Sequence, residues 1–469
     1  MHTETIAAIA TALSNAGIGI IRVSGPEAVS VVDSIFYNKS GRRNLAQKRS
    51  HTVSHGYIVV PDSEKNWQEN ILDEVMVVLM RAPHSYNMED TVEINCHGGV
   101  LLLQKVLQLV IRSGARLAQP GEFTKRAFLN GRLDLSQAEA VMDVIHSQSD
   151  MSLLSSMEQL TGKLAAVIRN LREDILYEIA FIESALDDPE HISLDGYGRK
   201  LYDRCNYFID QIEKLIASAE DGRLIREGIR TVILGRPNAG KSSLLNAFLG
   251  EERAIVTQMP GTTRDILQET VRFKGMTLHM VDTAGIRDAE DIVEQIGVDK
   301  ARQYADKADL ILFVVDGSEI PDQREREIIS LIEKKHVIVV VNKTDLPAIV
   351  TDEQIKALFP GKEDLRIVRI SASEGTGMDQ LQEQMEELFF SGGIKENREI
   401  VITNMRHKEA LENACRSLVL VRQSIEAQMP EDFFSIDLMA AYTSLGMIVG
   451  EQVGDDLVEE IFSKFCMGK

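Results

Sequence analysis

The chain has 469 residues, 44% of them hydrophobic, which is material for about three domains with full cores, and it carries a net charge of −21. So acidic a surface repels phosphate backbones and excludes a general nucleic-acid coat, so an RNA partner is met at a local patch or through another protein. The chain shows no run of ~18 apolar residues and no basic leader before Arg22, and Cys96, Cys205, Cys415 and Cys466 follow no metal or disulfide spacing, so a cytoplasmic protein without a membrane span is expected.

Residues 1–120 hold 11 Lys+Arg and 11 Asp+Glu, so the whole acidic excess lies in 121–469, 40 against 61. Short alternating runs predict strands at Gly19–Val23, Gly56–Val60, Glu74–Met80 and Thr91–Asn95, and a helix over Val100–Arg112. This block, 1–120, reads as an α+β domain. After Pro120 the pattern turns helical. Apolar residues at 153, 157, 160, 164, 168, 171, 175, 179, 182 and 186 keep the three/four spacing of one continuous helix ending before Pro189. More helix is expected to about Ile229.

The run Gly235-Arg236-Pro237-Asn238-Ala239-Gly240-Lys241-Ser242 fits G-x-x-x-x-G-K-[ST], a loop whose backbone N–H groups wrap nucleotide phosphates. Lys241 is placed for the β/γ-phosphates and Ser242 for Mg²⁺. A buried strand, Thr231–Leu234, enters the loop, and a helix starting at Ser243 leaves it and lends its positive end to the phosphates. Gly261-Thr262-Thr263-Arg264-Asp265 follows, where Thr263 can complete a Mg²⁺ shell. Asp282-Thr283-Ala284-Gly285 ends the predicted strand Met276–Val281, with a carboxylate for Mg²⁺ and an N–H for the γ-phosphate. Asn342-Lys343-Thr344-Asp345 ends the strand Val337–Val341. Asp345 can accept from both guanine N1–H and N2–H₂, a pair adenine lacks, so the base is guanine. Ser371-Ala372-Ser373 closes Leu365–Ile370 and offers N–H to guanine O6. Five motifs, each at a strand end and in the order a GTPase needs, imply a GTP site on an α/β P-loop (Ras-like) domain, 231–389. Helical pattern resumes from Arg406 to Phe465. The first and last elements of a doubly wound sheet end near each other, so 121–230 and 390–469 read as one all-α domain with the GTPase inserted.

Outside the GTPase motifs, three stretches of the N-terminal half and the C-terminus carry a resemblance. They are Ile18-Gly19-Ile20-Ile21-Arg22-Val23-Ser24-Gly25, Glu93-Ile94-Asn95-Cys96-His97-Gly98-Gly99, the run Pro120–Gly131, and Cys466-Met467-Gly468-Lys469, a C-x-G-K terminus. With them the chain resembles, over its full length, the tRNA-modification GTPase MnmE (TrmE) family. One departure is Asn87-Met88 ahead of Glu89-Asp90, where a Thr-Gly-like turn is expected. The resemblance implies a dimer through N-terminal domains that bind a formyl- or methylene-tetrahydrofolate. It also implies an FAD- and NADH-using partner, MnmG, and GTP-driven transfer of an aminomethyl or carboxymethylaminomethyl group to C5 of the wobble uridine of certain tRNAs. The folate residues it implies are Arg22, Glu93, Arg132 and Lys469. Read alone, Arg22 and Arg132 are also compatible with solvated surface charges, and Glu93 with the outward face of a strand.

By the same resemblance, the GTP pocket takes in Asn238, Ala239, Gly240, Lys241, Ser242, Ser243, Thr257, Gln258, Met259, Pro260, Gly261, Thr262, Thr263, Asp282, Thr283, Ala284, Gly285, Asn342, Lys343, Asp345, Ser371, Ala372 and Ser373. The position after Asp282–Gly285, where Ras-like enzymes carry a water-orienting Gln, is Ile286. Glu294 is the candidate that positions the attacking water, against a solvated helix glutamate. Arg264 and Arg287 stay open as arginine fingers. A K⁺ held by Asn238, Thr257, Met259 and Thr262 would supply the missing positive charge, against an Asn that merely satisfies a turn. Cys466 is a candidate for modification chemistry by thiol addition to uracil C6, against a small buried hydrophobe at a helix end. His97, in a turn with Cys96, is read as structural. A ribosome-assembly switch GTPase without modifying chemistry is the alternative function; the chain lacks the G-x-x-G RNA clamp and the second GTPase unit of the common members.

Overall fold

The computed structural model describes residues 4–61, 66–251, 269–273, 275–280, 305–321, 323–332, 335–362, 364–389, 400–466 and 468. Two compact units are formed, one from residues within 1–142, 160–172 and 445–469, the other from residues within 143–159 and 173–444.

The first unit is built on a seven-stranded sheet of order β3-β4-β5-β6-β2-β1-β7, with β1 Ile6–Ile9, β2 Ala16–Ser24, β3 Phe36–Asn38, β4 Thr52–Val59, β5 Ile71–Met80, β6 Thr91–Gly98 and β7 Arg116–Leu117. All neighbours are antiparallel except β1 and β7. Along β5 the odd positions Val75, Val77 and Leu79 are buried while Glu74 and Met76 are exposed, so alternation assigns one face to the core. That face is covered by Ala28–Ile35 and Val100–Arg112, whose Val32, Ile35, Leu103 and Val106 meet Ile21, Val77 and Ile94. The strands β2, β4, β5 and β6 and the helix Val100–Arg112 follow the sequence pattern; β1, β3 and β7, of four residues or fewer, do not announce themselves. The terminal helix Asp455–Ser463 seats Phe462 and Phe465 against Phe128, Leu135 and Ala138.

The run 153–186 does not form the one continuous helix its spacing predicts. It is two helices, Asp150–Leu160 and Lys163–Asp187, because Gly162 takes φ +85°, a left-handed conformation that ends the first helix while the apolar stripe runs on past it. In the second unit Tyr197–Ala217 packs along Met405–Glu426, with Arg422 donating to Asn206 and Tyr202 to Glu426. Asp432–Val449 has a mean hydropathy of 1.3 over 18 residues and meets the length and composition of a membrane span. Its buried Phe434, Leu438, Ala441, Leu445 and Ile448, spaced three and four apart, are the stripe of a core helix.

The second unit also holds a six-stranded sheet of order β13-β12-β11-β8-β10-β9, from β8 Ile229–Leu234, β9 Glu269–Phe273, β10 Met276–Met280, β11 Leu310–Asp316, β12 Val337–Asn342 and β13 Arg366–Arg369. Only the β9–β10 pair is antiparallel. β11 and β12 are buried at every position, as parallel strands covered on both faces must be. Lys241–Glu251 and Met378–Phe389 cover one face, Gln323–Ile332 and Asp352–Leu358 the other. The strands' carboxyl ends are thereby left open, where ligands bind in open α/β sheets.

Candidate functional site

β8 delivers the chain into the phosphate loop and Lys241–Glu251 takes it out, so the loop leads directly into a helix N-terminus. Lys241 Nζ donates to the carbonyls of Gly235 (3.0 Å) and Arg236 (2.7 Å), curling over the loop it serves. Asn238 is exposed at the tip with φ +60°, a conformation Asn adopts more readily than most residues. Arg236 anchors the loop's outer side through Glu319, at 2.5 Å.

Asn342, buried at the end of β12, ties this loop to the base side of the site. Its Nδ2 donates to the Ala239 carbonyl (3.1 Å), and its Oδ1 accepts from the Ala372 amide (3.0 Å). Gly240, at φ +98°, is required by that contact: a Cβ there would lie 2.0 Å from Asn342 Nδ2. Ser371 Oγ donates to Asp345 Oδ1 at 2.7 Å and meets Ser373 Oγ at 3.0 Å, which fixes the carboxylate expected to read guanine. The predicted Asn238, Ala239, Gly240, Lys241, Asn342, Lys343, Asp345, Ser371, Ala372 and Ser373 thus converge on one set of strand ends, with Ser242 and Ser243 in the first helical turn.

Sequence reasoning passed over Asp316. It ends β11 as Asn342 ends its neighbour β12, and its Oδ2 accepts from Lys343 Nζ at 2.6 Å. Burial works to raise the Asp316 carboxyl, but Lys343, with the Ser318 hydroxyl and amide, holds it below the usual carboxylate range. A charged residue ending an apolar strand beside another motif strand was the available signal. Thr257, Gln258, Met259, Pro260, Gly261, Thr262, Thr263, Asp282, Thr283, Ala284, Gly285 and Glu294 lie outside the described residues, as do Arg264, Ile286, Arg287 and Lys469.

A second cluster forms in the first unit. Register places Arg22 opposite Glu93, and the two pair at 2.8 Å. Arg22 also donates to the Gly468 carbonyl (3.1 Å) and sits 5.4 Å from the Tyr86 ring and 5.6 Å from the Phe123 ring. Arg132 lies 4.8 Å from the same Tyr86 ring. Tyr86, absent from the predicted set, is therefore the hub of this cluster. A cavity of about 550 Å³ opens beside it, lined by Arg132, Tyr86, Met80, His84 and Met88. Met88 keeps φ +62°, so the turn that a Gly was expected to make is made by Met, with Asn87 buried and bonded to Ser24 and Glu89. Arg126 is buried and paired with Glu89 and Glu122, and Arg116 grips Glu122 from the other side.

Cys466 is exposed, which removes the reading of a buried hydrophobe at the helix end: Phe462 and Phe465 fill that role and leave the thiol in solvent. Cys96 is buried, and burial, reinforced by Asp73, pushes its thiol up to about 12, so it carries no thiolate at neutral pH. His97 hydrogen-bonds Asp73 at 2.7 Å, and that bond raises its pKa.

Comparison with known proteins gives two family matches, the MnmE helical domain over residues 135–466 and the N-terminus of the GTP-binding protein TrmE over residues 5–132. The chain is 54% identical over 469 residues to the tRNA modification GTPase MnmE of Lachnoclostridium phytofermentans, covering 100% of both chains. It is 45% identical over 467 residues to that of Geobacillus thermodenitrificans, covering 99% of each. To that of Enterococcus faecalis it is 43% identical over 470 residues, covering 100% of this chain and 99% of the relative.

Proposed function

The chain belongs to the MnmE family of tRNA modification GTPases, and from that premise we propose how its residues divide the work. It is a GTP-hydrolysing enzyme of tRNA modification, with an α+β N-terminal domain, a helical domain and a P-loop GTPase fold. The observation that carries the reading is Asn342, which joins the phosphate loop to the turn where Ser371 holds Asp345.

Backbone N–H groups of Asn238–Ser243 and the Lys241 ammonium take the phosphates, while Asp345, oriented by Ser371, accepts from guanine. Ser242 and Thr263 would hold Mg²⁺. Their hydroxyls are the hard oxygen donors that ion takes, and when bound it neutralises developing phosphate charge. Asn238, exposed at the tip, would hold K⁺ with Thr257, Met259 and Thr262. Glu294 would orient the water that attacks the γ-phosphate. Glu294→Ala should lower turnover sharply with nucleotide affinity nearly unchanged, and equal turnover in NaCl and KCl would remove the K⁺ assignment.

For the first unit we propose that Arg22, Glu93, Arg132 and Lys469 form a site for a formyl- or methylene-tetrahydrofolate. The arginines flanking Tyr86 suit a planar ring and a carboxylate together, and the adjoining cavity has the volume of a small-molecule site. The domains would be 1–120, 121–230 with 390–469, and 231–389; the packing of Tyr197–Ala217 on Met405–Glu426 supports joining the two helical stretches. The protein would act in the cytoplasm as a homodimer through its N-terminal domains. With the FAD- and NADH-using partner MnmG it would place an aminomethyl or carboxymethylaminomethyl group on C5 of the wobble uridine. The test is that modification in a strain lacking the gene. Its loss, with rescue by the wild-type chain and not by Glu294→Ala, is expected. Normal modification would leave a switch GTPase instead.

A further inference from the structure

Between Asp33 and Asp62 the sequence holds five basic residues, Lys39, Arg42, Arg43, Lys48 and Arg49, and no Asp or Glu, in a chain of net charge −21. All five are exposed, and among the described residues none is in an ion pair. They sit on the β3–β4 connection at the sheet's edge, and that connection is firmly built. Asn38 closes its first turn, its side chain accepting from the Ser40 and Arg42 amides and its backbone pairing with Arg42 and Gly41. Further on, Asp33 accepts from the Leu45 amide and Arg81 donates to the Ala46 carbonyl. Flexible lysines on a loose loop would lose much of their attraction in ordering; here the backbone is already fixed.

Beside the cations stands an aromatic stack. Trp67, half-buried, lies parallel to Tyr37 with centroids 5.6 Å apart and 3° between planes, and tilts over Tyr57 at 5.9 Å. The Arg43 guanidinium lies 4.8 Å from the Tyr37 centroid and donates to its hydroxyl. Cations for phosphates next to aromatic and guanidinium planes for bases is the composition of a surface for unpaired RNA. The acidic remainder of the chain repels such a backbone, which leaves this edge as a place where it can approach.

We propose that the β3–β4 connection, Lys39 to Arg49 with Tyr37 and Trp67, is a docking surface for the tRNA substrate. The proposal rests on the reading of this chain as a tRNA-modifying enzyme. Phosphates sit on Lys39, Arg42, Lys48 and Arg49, and an unstacked base lies against the Arg43–Tyr37–Trp67 edge.

Trp67 is the only tryptophan in the chain, so its emission reports on this surface. The experiment titrates the full-length protein, with a non-hydrolysable GTP analogue, against an unmodified tRNA transcript at several salt concentrations. Saturable quenching is expected in the wild type. The combined Lys39→Ala, Arg42→Ala, Lys48→Ala and Arg49→Ala variant should flatten the slope of log K against log salt by about 3 and weaken binding on the order of 100-fold near ~0.1 M salt. Its GTP turnover should stay unchanged. The smaller Lys39→Ala/Arg42→Ala variant should show about half the loss of slope. Wild-type affinity and slope in both variants would overturn the surface while leaving the tRNA reading in place. A wild type that binds no transcript would overturn the surface as well and leave tRNA to be met through the partner protein; the tRNA reading itself falls only if modification is normal in a strain lacking the gene. Variants that bind tRNA normally but no longer sediment with phosphatidylglycerol vesicles would assign the cations to a membrane and overturn the proposal.

Discussion

If Asn342 is what joins the two halves of the nucleotide site, its truncation and that of the contact beneath it must be strongly coupled. Asn342→Ala removes the bond to the Ala239 carbonyl and the bond from the Ala372 amide, both at a buried position. At roughly 1 to 1.5 kcal/mol each, the loss is about 2 to 3 kcal/mol, or on the order of 30- to 150-fold in guanine-nucleotide affinity. Gly240→Ala reaches the same result from the other side. Its Cβ would lie 2.0 Å from Asn342 Nδ2, so Asn342 is displaced, and φ +98° adds roughly 1 to 2 kcal/mol of strain. In the double variant the collision is gone, and what remains is the loss of Asn342's two bonds, counted once, plus the strain. The cycle should therefore show a coupling of about 2 kcal/mol, read by equilibrium titration of a fluorescent GDP analogue, with circular dichroism to check folding. Additive losses, or an Asn342→Ala affinity within threefold of wild type, would refute the clamp.

Glu122 is held down to about 2 from its ordinary 4.5, because its hydrogen bonds from Arg116, the Gln119 amide and Arg126 outweigh the burial that would raise it. A depressed carboxyl gives stability that is complete above about pH 5 and is lost as pH falls toward 2; the gap is worth roughly 2 to 3 kcal/mol, and urea melts of Glu122→Gln should lose that much at pH 7 and much of the acid sensitivity. Arg132→Ala should weaken tetrahydrofolate binding about tenfold or more in calorimetry, on the scale of one charge-assisted contact, with GTP turnover unchanged. Cys466→Ser keeps shape at an exposed position, so GTP turnover and dimerisation should persist; loss of tRNA modification would assign the thiol to the modification step, and retained modification would leave that chemistry to folate and the flavin partner.

The phosphate-loop and base-side residues that the structure brings together were legible because they are tied to strand ends that announce themselves. β11 and β12 are unbroken buried runs, and a polar cluster closing such a run has few other uses. Gly162 was not legible as a helix break, since the apolar stripe continues through it and the break lives in one backbone angle. The edge strands β3 and β7 owe their conformation to a neighbour across the sheet rather than to their two or three residues. Tyr86 and Arg126 were hidden for another reason. A lone Tyr or Arg in sequence reads as surface, and only folding places Tyr86 between Arg22 and Arg132, or surrounds Arg126 with Glu89 and Glu122. Cys466 shows the converse, because the apolar residues beside it take the core and leave the thiol outside.

The helix that leads into the GTPase fold is fastened to it on two sides in the second unit. The helix Ala219–Glu227 runs directly into β8 and so into the phosphate loop. Its Arg223 and the β8 residue Arg230 both grip Asp309, at 3.1 and 2.8 Å. Asp309 opens onto β11, the strand that ends in Asp316 and its bond to Lys343. On its other side the same helix is pressed so closely on the returning chain that a Cβ on Gly222 would lie 2.1 Å from the Ile402 carbonyl, and Ser218 accepts from the Ile402 amide at 3.1 Å. A shift of β8 or β11 at their phosphate-facing ends therefore acts on one rigid helix that is joined to both flanks of the GTPase segment. Close-packed elements of this kind resist continuous deformation, so the helix and the two strands it grips are held in one arrangement. The ion pairs around Asp309 and the close approach at Gly222 thus tie this helix at once to β8, to the start of β11 and to the returning chain.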